Sequence, residues 1–312
     1  MLNLIQNEWM KLWSKKGTWI MTILLIAAVI GVMGITKWVN NQNTTQPTDW
    51  KSSAQEQINY INEATQLDLP EMERKQNEET IKILEYRLAN DIPPLAEDGR
   101  ESLIINPVGV GSLVVLLTVI VAAGIVASEF SQGTIKMLLT RPVSRWKIMT
   151  SKYVTVLLFG VLLMVIGFAV TIMSAYILFP SGVGQELKWD GNAIVPVSIW
   201  GHGLYMLILS FANVIITATF AFMIGSVFRS NGMAIGLSLF IFFTGNTIVL
   251  LLSQYEIVKY LVFTHMNLTM YETNSVFVDG ITMPFSLVVL ASYLVVFLVI
   301  SYTVFTKRDI TA

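Results

Sequence analysis

The stretch PVGVGSLVVLLTVIVAAGIVA, residues 107–127, runs for 21 positions without a charged side chain. A helix needs about 20 apolar residues to cross the ~30 Å hydrocarbon core of a bilayer, so this stretch predicts a transmembrane helix. Five other stretches of similar length also lack Asp, Glu, Lys and Arg: 18–36, 153–178, 204–227, 233–252 and 284–305. The sequence therefore predicts an all-α integral membrane protein with six transmembrane helices.

The composition of the 312-residue chain agrees with this class. Charged residues make up 13% of it, about half of the roughly 25% usual in soluble domains, and apolar residues make up 54%. The chain has no cysteine and only two histidines, His202 and His265, so we expect no disulfide framework and no metal site. A net charge of −1 gives no reason to expect a nucleic-acid partner.

The distribution of Lys and Arg predicts the orientation. Six spans place both termini on one side, and the pieces on that side hold 11 basic and 3 acidic residues. The short loops on the other side, 179–203 and 253–283, hold only Lys188 and Lys259 as basic residues. Because positive charge favours the cytoplasmic side, we expect both termini there. The predicted cytoplasmic pieces are the segment 1–17, the elbow 128–152, the turn 228–232 and the tail 306–312.

The segment 1–17 precedes the first span and carries apolar residues at helical spacing. Positions 2, 5, 9, 12 and 13 form one stripe, followed by lysines that can reach lipid headgroups, which predicts an interfacial elbow helix. An extended first span is the alternative, but Ser14–Gly17 interrupts it. A cleaved signal peptide is a further alternative for 18–36, although the apolar run from Trp19 to Ile35 exceeds the ~7–15 residues of a signal core.

The segment 37–106 is predicted to be extracellular and helical, with helices at 54–69 and 71–90. It holds 7 basic and 13 acidic residues and narrow apolar stripes. Such helices could form a hairpin that packs on itself or on a second copy, or a cap that gathers substrate. The loop 253–283 mixes apolar and polar residues, which fits either an extracellular loop or a re-entrant helix.

The spans themselves offer only neutral polar groups. A proton- or sodium-driven transporter generally needs an ionisable residue near mid-membrane, so this driving mechanism is disfavoured. Candidate translocation-lining residues are Asn213, Thr217, Asn246 and Thr247, although such residues are more often partners in interhelical hydrogen bonds. Gly232 and Gly236 form a Gly-x-x-x-Gly pattern, a candidate helix-packing face that is also common by chance.

The most distinctive stretch is the predicted cytoplasmic elbow, SEFSQGTIKMLLTRPVSRWKIMTSK at 128–152. Gly133 is expected to end one helix and Thr134 to cap the next. Ile135, Leu138 and Leu139 would form the apolar face of that short helix, and Pro142 would end it. A loop that only binds headgroups through Lys and Arg is the alternative, but an apolar ridge on a soluble projection favours a protein partner.

This stretch resembles the signature of ABC type-2 export permeases, in particular their multidrug, bacitracin and sodium-export branch. The residues that carry the resemblance are Glu129, Gly133, Thr134, Leu138, Leu139, Pro142, Ser144, Arg145 and Lys152. The six spans, the interfacial helix at 1–17 and the large segment 37–106 after the first span agree with that family's layout. The 70-residue segment 37–106 exceeds the minimal layout.

The resemblance implies a permease subunit of an ATP-driven exporter in a bacterial plasma membrane. In that family, the segment corresponding to the elbow 128–152 is called the coupling helix. It would dock on a separate cytoplasmic ABC ATPase subunit through Glu129, Gly133, Thr134, Ile135, Leu138, Leu139, Pro142 and Arg145. This chain has no P-loop and no catalytic motif, so ATP and Mg would be bound by the partner, with no cofactor in this chain. A second permease chain, identical or related, would complete the assembly.

The substrate stays open among peptide antibiotics, drugs and ions. Two other classes also stay open. One is a stand-alone secondary transporter or channel, and the other is a membrane-embedded enzyme or an assembly factor without transport.

Overall fold

The computed structural model describes residues 1–42, 49–65, 71–96, 98–106, 109–134, 143–273, 275–276, 278 and 280–307. The described part is mainly helical. Its helices are α1 (Leu2–Trp13), α2 (Lys16–Gln42), α3 (Trp50–Ala64), α4 (Glu71–Asn90), α5 (Arg100–Ile105), α6 (Val110–Ser131), α7 (Arg145–Leu178), α8 (Ile199–Val227), α9 (Asn231–Leu251), α10 (Val262–His265) and α11 (Met283–Lys307). Short 3-10 helices lie at Glu256–Tyr260 and Leu268–Tyr271.

Six helical stretches of this described part are long and apolar enough to cross a membrane. They run through α2, α6, α7, α8, α9 and α11. The prediction of a mainly α-helical membrane protein with six candidate spans is confirmed.

Several helices extend beyond the apolar stretches that predicted them. The helix α7 has 34 residues and begins at Arg145, and α8 begins at Ile199, whereas the predicted spans begin at 153 and 204. Backbone hydrogen bonding continues a helix through polar residues, which hydropathy does not detect. At 1.5 Å per residue α7 is about 50 Å long, well beyond the hydrocarbon core.

One small β-hairpin departs from the all-α prediction. Strand β1 (Leu187–Trp189) pairs antiparallel with β2 (Ile194–Pro196). The turn begins at Asp190, whose Oδ1 accepts backbone N–H bonds from Asn192 at 2.8 Å and Ala193 at 2.7 Å. Gly191 follows with φ 100, a value that favours glycine. Asp-Gly between two apolar runs is a local hairpin signal, which hydropathy does not detect.

The chain divides into two compact units. The first comprises Met1–Ala27, Gly109–Gly167 and Ile208–Ala312, and the second comprises Ala28–Val108 and Phe168–Leu207.

In the first unit, small residues let the membrane helices approach closely. A Cβ placed on Gly225 of α8 would lie 2.2 Å from the carbonyl oxygen of Ala123 in α6. A glycine at this point therefore permits direct backbone contact, as is usual between membrane helices. The helix α9 also packs along α6.

The second unit contains the helical segment between the first two spans. The helices α3 and α4 pack together and bury Ala54, Ile58 and Ile61 of α3. Arg87 of α4 is buried and donates to the carbonyl oxygens of Pro93 (3.0 Å) and Gln185 (2.7 Å). This side chain ties α4 to the chain entering the β-hairpin.

Candidate functional site: a buried ion cluster

Four charged side chains of the first unit meet at the ends of α6 and α7. Lys152 has 0% of its side chain exposed, and its Nζ donates to Glu8 Oε2 at 2.8 Å and to Glu129 Oε1 at 2.7 Å. Lys11 also donates to Glu129 Oε1. We call Glu8, Lys11, Glu129 and Lys152 the ion cluster.

Three separate helices bring these charges together. Glu8 and Lys11 are three residues apart on α1, so they project from one face of that helix. Glu129 lies in the last turn of α6, and Lys152 lies two turns into α7. Neither α6 nor α7 could bury its charge alone, because an unpaired charge away from water is strongly disfavoured.

Aromatic packing fixes α1 beside α7. The ring of Trp13 contacts Phe159 of α7 at a centroid distance of 6.2 Å and Trp19 at 4.9 Å. The buried hydroxyl of Thr18 donates to the Leu12 carbonyl at 2.6 Å, which satisfies one free carbonyl at the end of α1. These contacts hold α1 where Glu8 can reach Lys152.

The cluster contains two carboxylates and two ammonium groups. Its formal charge is therefore balanced, which is the condition under which buried charges are tolerated. One acceptor is left over, since Glu129 Oε2 is buried and finds no hydrogen-bond partner among the described residues.

The ion pair also closes the predicted cytoplasmic elbow. Glu129 stands at the start of the segment 128–152 and Lys152 at its end, so their bond joins the two ends of the elbow. Lys152 is thus the partner of Glu129 within this segment. The contribution of Glu8 and Lys11 from α1 was not predicted.

Other residues of the predicted coupling set have mixed outcomes. Gly133 has φ 71 and follows the end of α6, in agreement with its predicted role as a helix terminator. The Thr134 hydroxyl donates back to the Glu129 carbonyl at 3.4 Å, so it contacts the preceding helix. Arg145 donates to the Thr306 carbonyl of α11 at 2.9 Å. Ile135, Leu138, Leu139 and Pro142 lie outside the described residues, and so does the predicted coupling helix.

The neutral polar residues of the spans fall into two groups. The Thr217 hydroxyl bonds to the carbonyl oxygen of Asn213 at 2.5 Å and to its Oδ1 at 2.9 Å, so this pair is satisfied within α8. Asn246 and Thr247 of α9 are exposed, and Asn246 lines a cavity of about 270 Å³.

A Cβ on Gly232 or Gly236 would meet nothing within 4 Å, so no described helix of this chain packs on that face.

A second buried polar group occupies the segment between α9 and α11. His265 has both ring nitrogens bonded, Nε2 to the Lys259 carbonyl at 2.8 Å and Nδ1 to Ser286 Oγ at 2.5 Å. A carbonyl only accepts, so Nε2 carries the proton and Ser286 donates to Nδ1. Tyr271 then donates to Ser286 Oγ at 2.5 Å. We call His265, Ser286 and Tyr271 the histidine network.

Burial sets the titration of this network. It lowers the pKa of His265 below 6.5 because the imidazolium would lose water, and the Lys259 carbonyl opposes this only in part. Burial also raises the pKa of Tyr271. His265 and Ser286 are both fully buried, so this Ser–His pair is closed to substrate and holds structure instead. Among the described residues, no three His, Asp or Glu side chains are grouped to hold a metal ion.

Comparison with known proteins gives a family and two relatives. The model of a family described as "Protein of unknown function (DUF2705)" matches residues 92–311. The chain is 34% identical over 315 residues to "Uncharacterized protein YhcI" of Bacillus subtilis (strain 168), with 99% of both chains covered. It is also 27% identical over 197 residues to "Uncharacterized membrane protein YdbK" of the same organism, covering 62% of this chain and 76% of that one. Together with the six candidate spans, these matches identify a multi-pass membrane protein.

Proposed function

For this chain, which belongs to the DUF2705 family of proteins of unknown function, we propose the role of permease subunit in an ATP-binding-cassette exporter. A separate cytoplasmic ATPase subunit would bind ATP and Mg and would dock on the elbow 128–152. A second permease chain, identical or related, would complete the assembly. Both termini would lie on the cytoplasmic side of a bacterial plasma membrane, with α1 in the inner interface.

The observation that carries this proposal is the ion pair that closes the elbow. Glu129 and Lys152 are bonded at 2.7 Å, and both are bonded to α1. A force applied to the elbow between them would therefore act on α6, α7 and α1 together. Transmission of a two-state motion needs such a stiff connection.

The sequence of the elbow supplies the second support. Leu138 and Leu139 stand between Gly133 and Pro142 in a stretch with five basic residues, in the pattern that resembles export permeases. Apolar residues beside Lys and Arg suit a protein partner better than a lipid headgroup. This chain has no P-loop, so the proposal assigns ATP hydrolysis to the partner.

Co-purification tests the proposal. The chain is tagged at its C-terminus, extracted in mild detergent, and its bound proteins are identified by mass spectrometry. We expect a stoichiometric protein with a P-loop, lost in the variant Leu138→Asp because a carboxylate would be placed in an apolar contact. The matched control is Val183→Asp, at a position that is 75% exposed in the second unit, and it should retain the partner.

Two outcomes would contradict the proposal. One is the lack of any P-loop protein across a series of mild detergents, which would favour a stand-alone transporter or an assembly factor. The other is retention of the ATPase in Leu138→Asp, which would remove the elbow from the interface.

A further inference from the structure

A cavity of about 270 Å³ lies beside the C-terminal half of α9 and is separate from the ion cluster. Its walls are mostly apolar. The buried apolar side chains that line it are Val249, Met270, Val278 and Ile281, and the partly buried Phe263 of α10 completes the apolar wall.

A glycine makes this arrangement possible. A Cβ on Gly245 of α9 would lie 2.3 Å from Cδ1 of Phe263, so any larger residue would push the ring away. With glycine there, the ring rests on the α9 backbone and forms one wall. The cavity is thus built by packing that only this residue permits.

The polar groups of the cavity are neutral, and most are already satisfied. Thr264 donates to the Val258 carbonyl at 2.7 Å, and Asn267 Oδ1 accepts from Thr269 at 2.6 Å. Among the described residues, the Asn246 carboxamide has no hydrogen-bond partner, and no charged side chain lines the cavity. Asn246 is therefore placed to bond a neutral group of a ligand.

The volume limits what can enter. An apolar cavity of about 150 Å³ holds a benzene molecule, and this one is nearly twice that size. It remains below the roughly 300–1,000 Å³ of sites that enclose a drug-sized ligand. The cavity therefore suits one end of a longer molecule.

The opening lies on an exposed face of a candidate span. Leu250 lines the cavity and is 59% exposed, and Asn246 beside it is also exposed. Only 22% of the apolar window of α9 is buried within the chain. In a bilayer, an apolar helix face of this kind meets lipid chains.

We propose that this cavity binds the head-group end of an uncharged membrane amphiphile, whose hydroxyl or amide group is hydrogen-bonded by Asn246 and whose first methylene groups contact the apolar walls. The apolar walls disfavour a charged head in the interior, because none of the described residues that line the cavity carries an opposite charge to compensate for its desolvation. This inference holds whether or not an ATPase partner exists.

Photolabelling of the full-length protein tests the site. The chain is reconstituted in phosphatidylcholine vesicles with one of three probes that share a long alkyl chain and a diazirine on the carbon atoms next to the head group. Their head groups are a hydroxyl, a carboxylate and a trimethylammonium group. Labelled positions are mapped by mass spectrometry and normalised to labelling of α11, which corrects for partitioning into the bilayer.

We expect the alcohol to label the cavity walls at Val249, Phe263 and Met270 above the α11 background. An excess of unlabelled alcohol should compete, and the charged probes should label the walls several-fold less. The variant Asn246→Leu removes one hydrogen bond, so cavity labelling by the alcohol should fall roughly three- to tenfold. The matched control Ser292→Leu, at an exposed position of α11, should leave cavity labelling unchanged.

The proposal is overturned if labelling follows lipid exposure alone, without competition. It is also overturned if the charged probes label the walls as well as the alcohol does. Equal cavity labelling in Asn246→Leu and Ser292→Leu would reject the role of Asn246.

Discussion

The ion cluster and the histidine network are two buried polar groups that the first unit holds by different means. The ion cluster joins α1, α6 and α7 through four charged side chains, with Lys152 bonded to two carboxylates. The histidine network joins the segment before α11 to that helix through neutral donors and acceptors only.

The difference concerns what remains when one member is removed. In the ion cluster, the loss of Lys152 leaves Glu8 without its partner and Glu129 with Lys11 alone, and a buried charge without full compensation is strongly destabilising. In the histidine network, the loss of one member leaves an unsatisfied but uncharged atom. The charged group is thus the more sensitive connection, and it lies at the elbow that we propose to transmit motion.

The largest effect is expected from Lys152→Met. It leaves Glu8 and Glu129 buried without their shared partner, which should lower the free energy of unfolding by about 3–5 kcal/mol. Thermal unfolding in mild detergent would measure this, with the exposed Lys147→Met as the matched control. A loss no greater than that of the control would contradict the comparison.

Neutralising the carboxylates should restore part of this loss. In the triple variant Lys152→Met, Glu8→Gln, Glu129→Gln, no buried carboxylate remains, and Lys11 is half-exposed and stays hydrated. We expect a higher unfolding temperature than in Lys152→Met alone, by the same assay. A further decrease would show that packing, and not charge, dominates at this position.

Breaking the histidine network should have a smaller effect. Ser286→Ala removes the donor to His265 and the acceptor of Tyr271, which should lower the free energy of unfolding by about 1–3 kcal/mol. The control is Ser292→Ala, on an exposed face of the same helix, which should leave the free energy of unfolding unchanged. If Ser286→Ala destabilised the protein as much as Lys152→Met, the distinction between charged and neutral groups would fail.

The histidine network should also respond to pH. The pKa of His265 is lowered from 6.5 by burial, so the unfolded chain binds a proton at a higher pH than the folded one. The contribution of neutral His265 to the free energy of unfolding is complete above pH 6.5. It is lost as the pH falls from there through the lowered pKa of the folded state. The charged side chains of Glu256 and Lys259, in the same segment as His265, pair with each other, with 3.2 Å between Lys259 Nζ and Glu256 Oε1.

Unfolding temperatures between about pH 7.5 and about pH 5 would check this. The unfolding temperature of the wild type should fall on acidification. That of His265→Gln should fall by a smaller amount over the same pH range. An equal slope in both proteins would assign the effect to other groups.

The smallest effect is expected outside both groups, at the ion pair between Lys51 and Asp91 in the second unit. Their side chains are 49% and 74% exposed and 2.8 Å apart. Water and salt screen such a pair, so Lys51→Ala should leave the unfolding temperature unchanged. A clear decrease would show that exposed charges contribute here as well.

The sequence predicted most of the fold because the uncharged stretches are long and hydropathy detects them directly. It also indicated Glu129 and Lys152 as residues of the elbow stretch that resembles export permeases, but not that they bond to each other. Glu8 could not be found in this way, because it contacts Lys152 across 144 positions of the chain. The packing of Trp13 on Phe159 and Trp19 holds α1 at that place, and no local sequence pattern predicts this contact.

Other features were missed for different reasons. The cavity beside α9 depends on the approach of Phe263 to Gly245, a long-range contact without a local pattern. The histidine network joins Tyr271, His265 and Ser286, which no periodicity relates. The β-hairpin, by contrast, had a local signal in Asp190-Gly191 that could have predicted it.

The most direct test of the proposed function is ATP turnover by the purified assembly. We expect the chain alone to hydrolyse no ATP, the assembly to hydrolyse it, and Leu138→Asp to abolish the turnover supported by this chain while expression is retained. Unchanged turnover in Leu138→Asp, or hydrolysis by the chain alone, would contradict the role of the elbow as the connection to an ATPase.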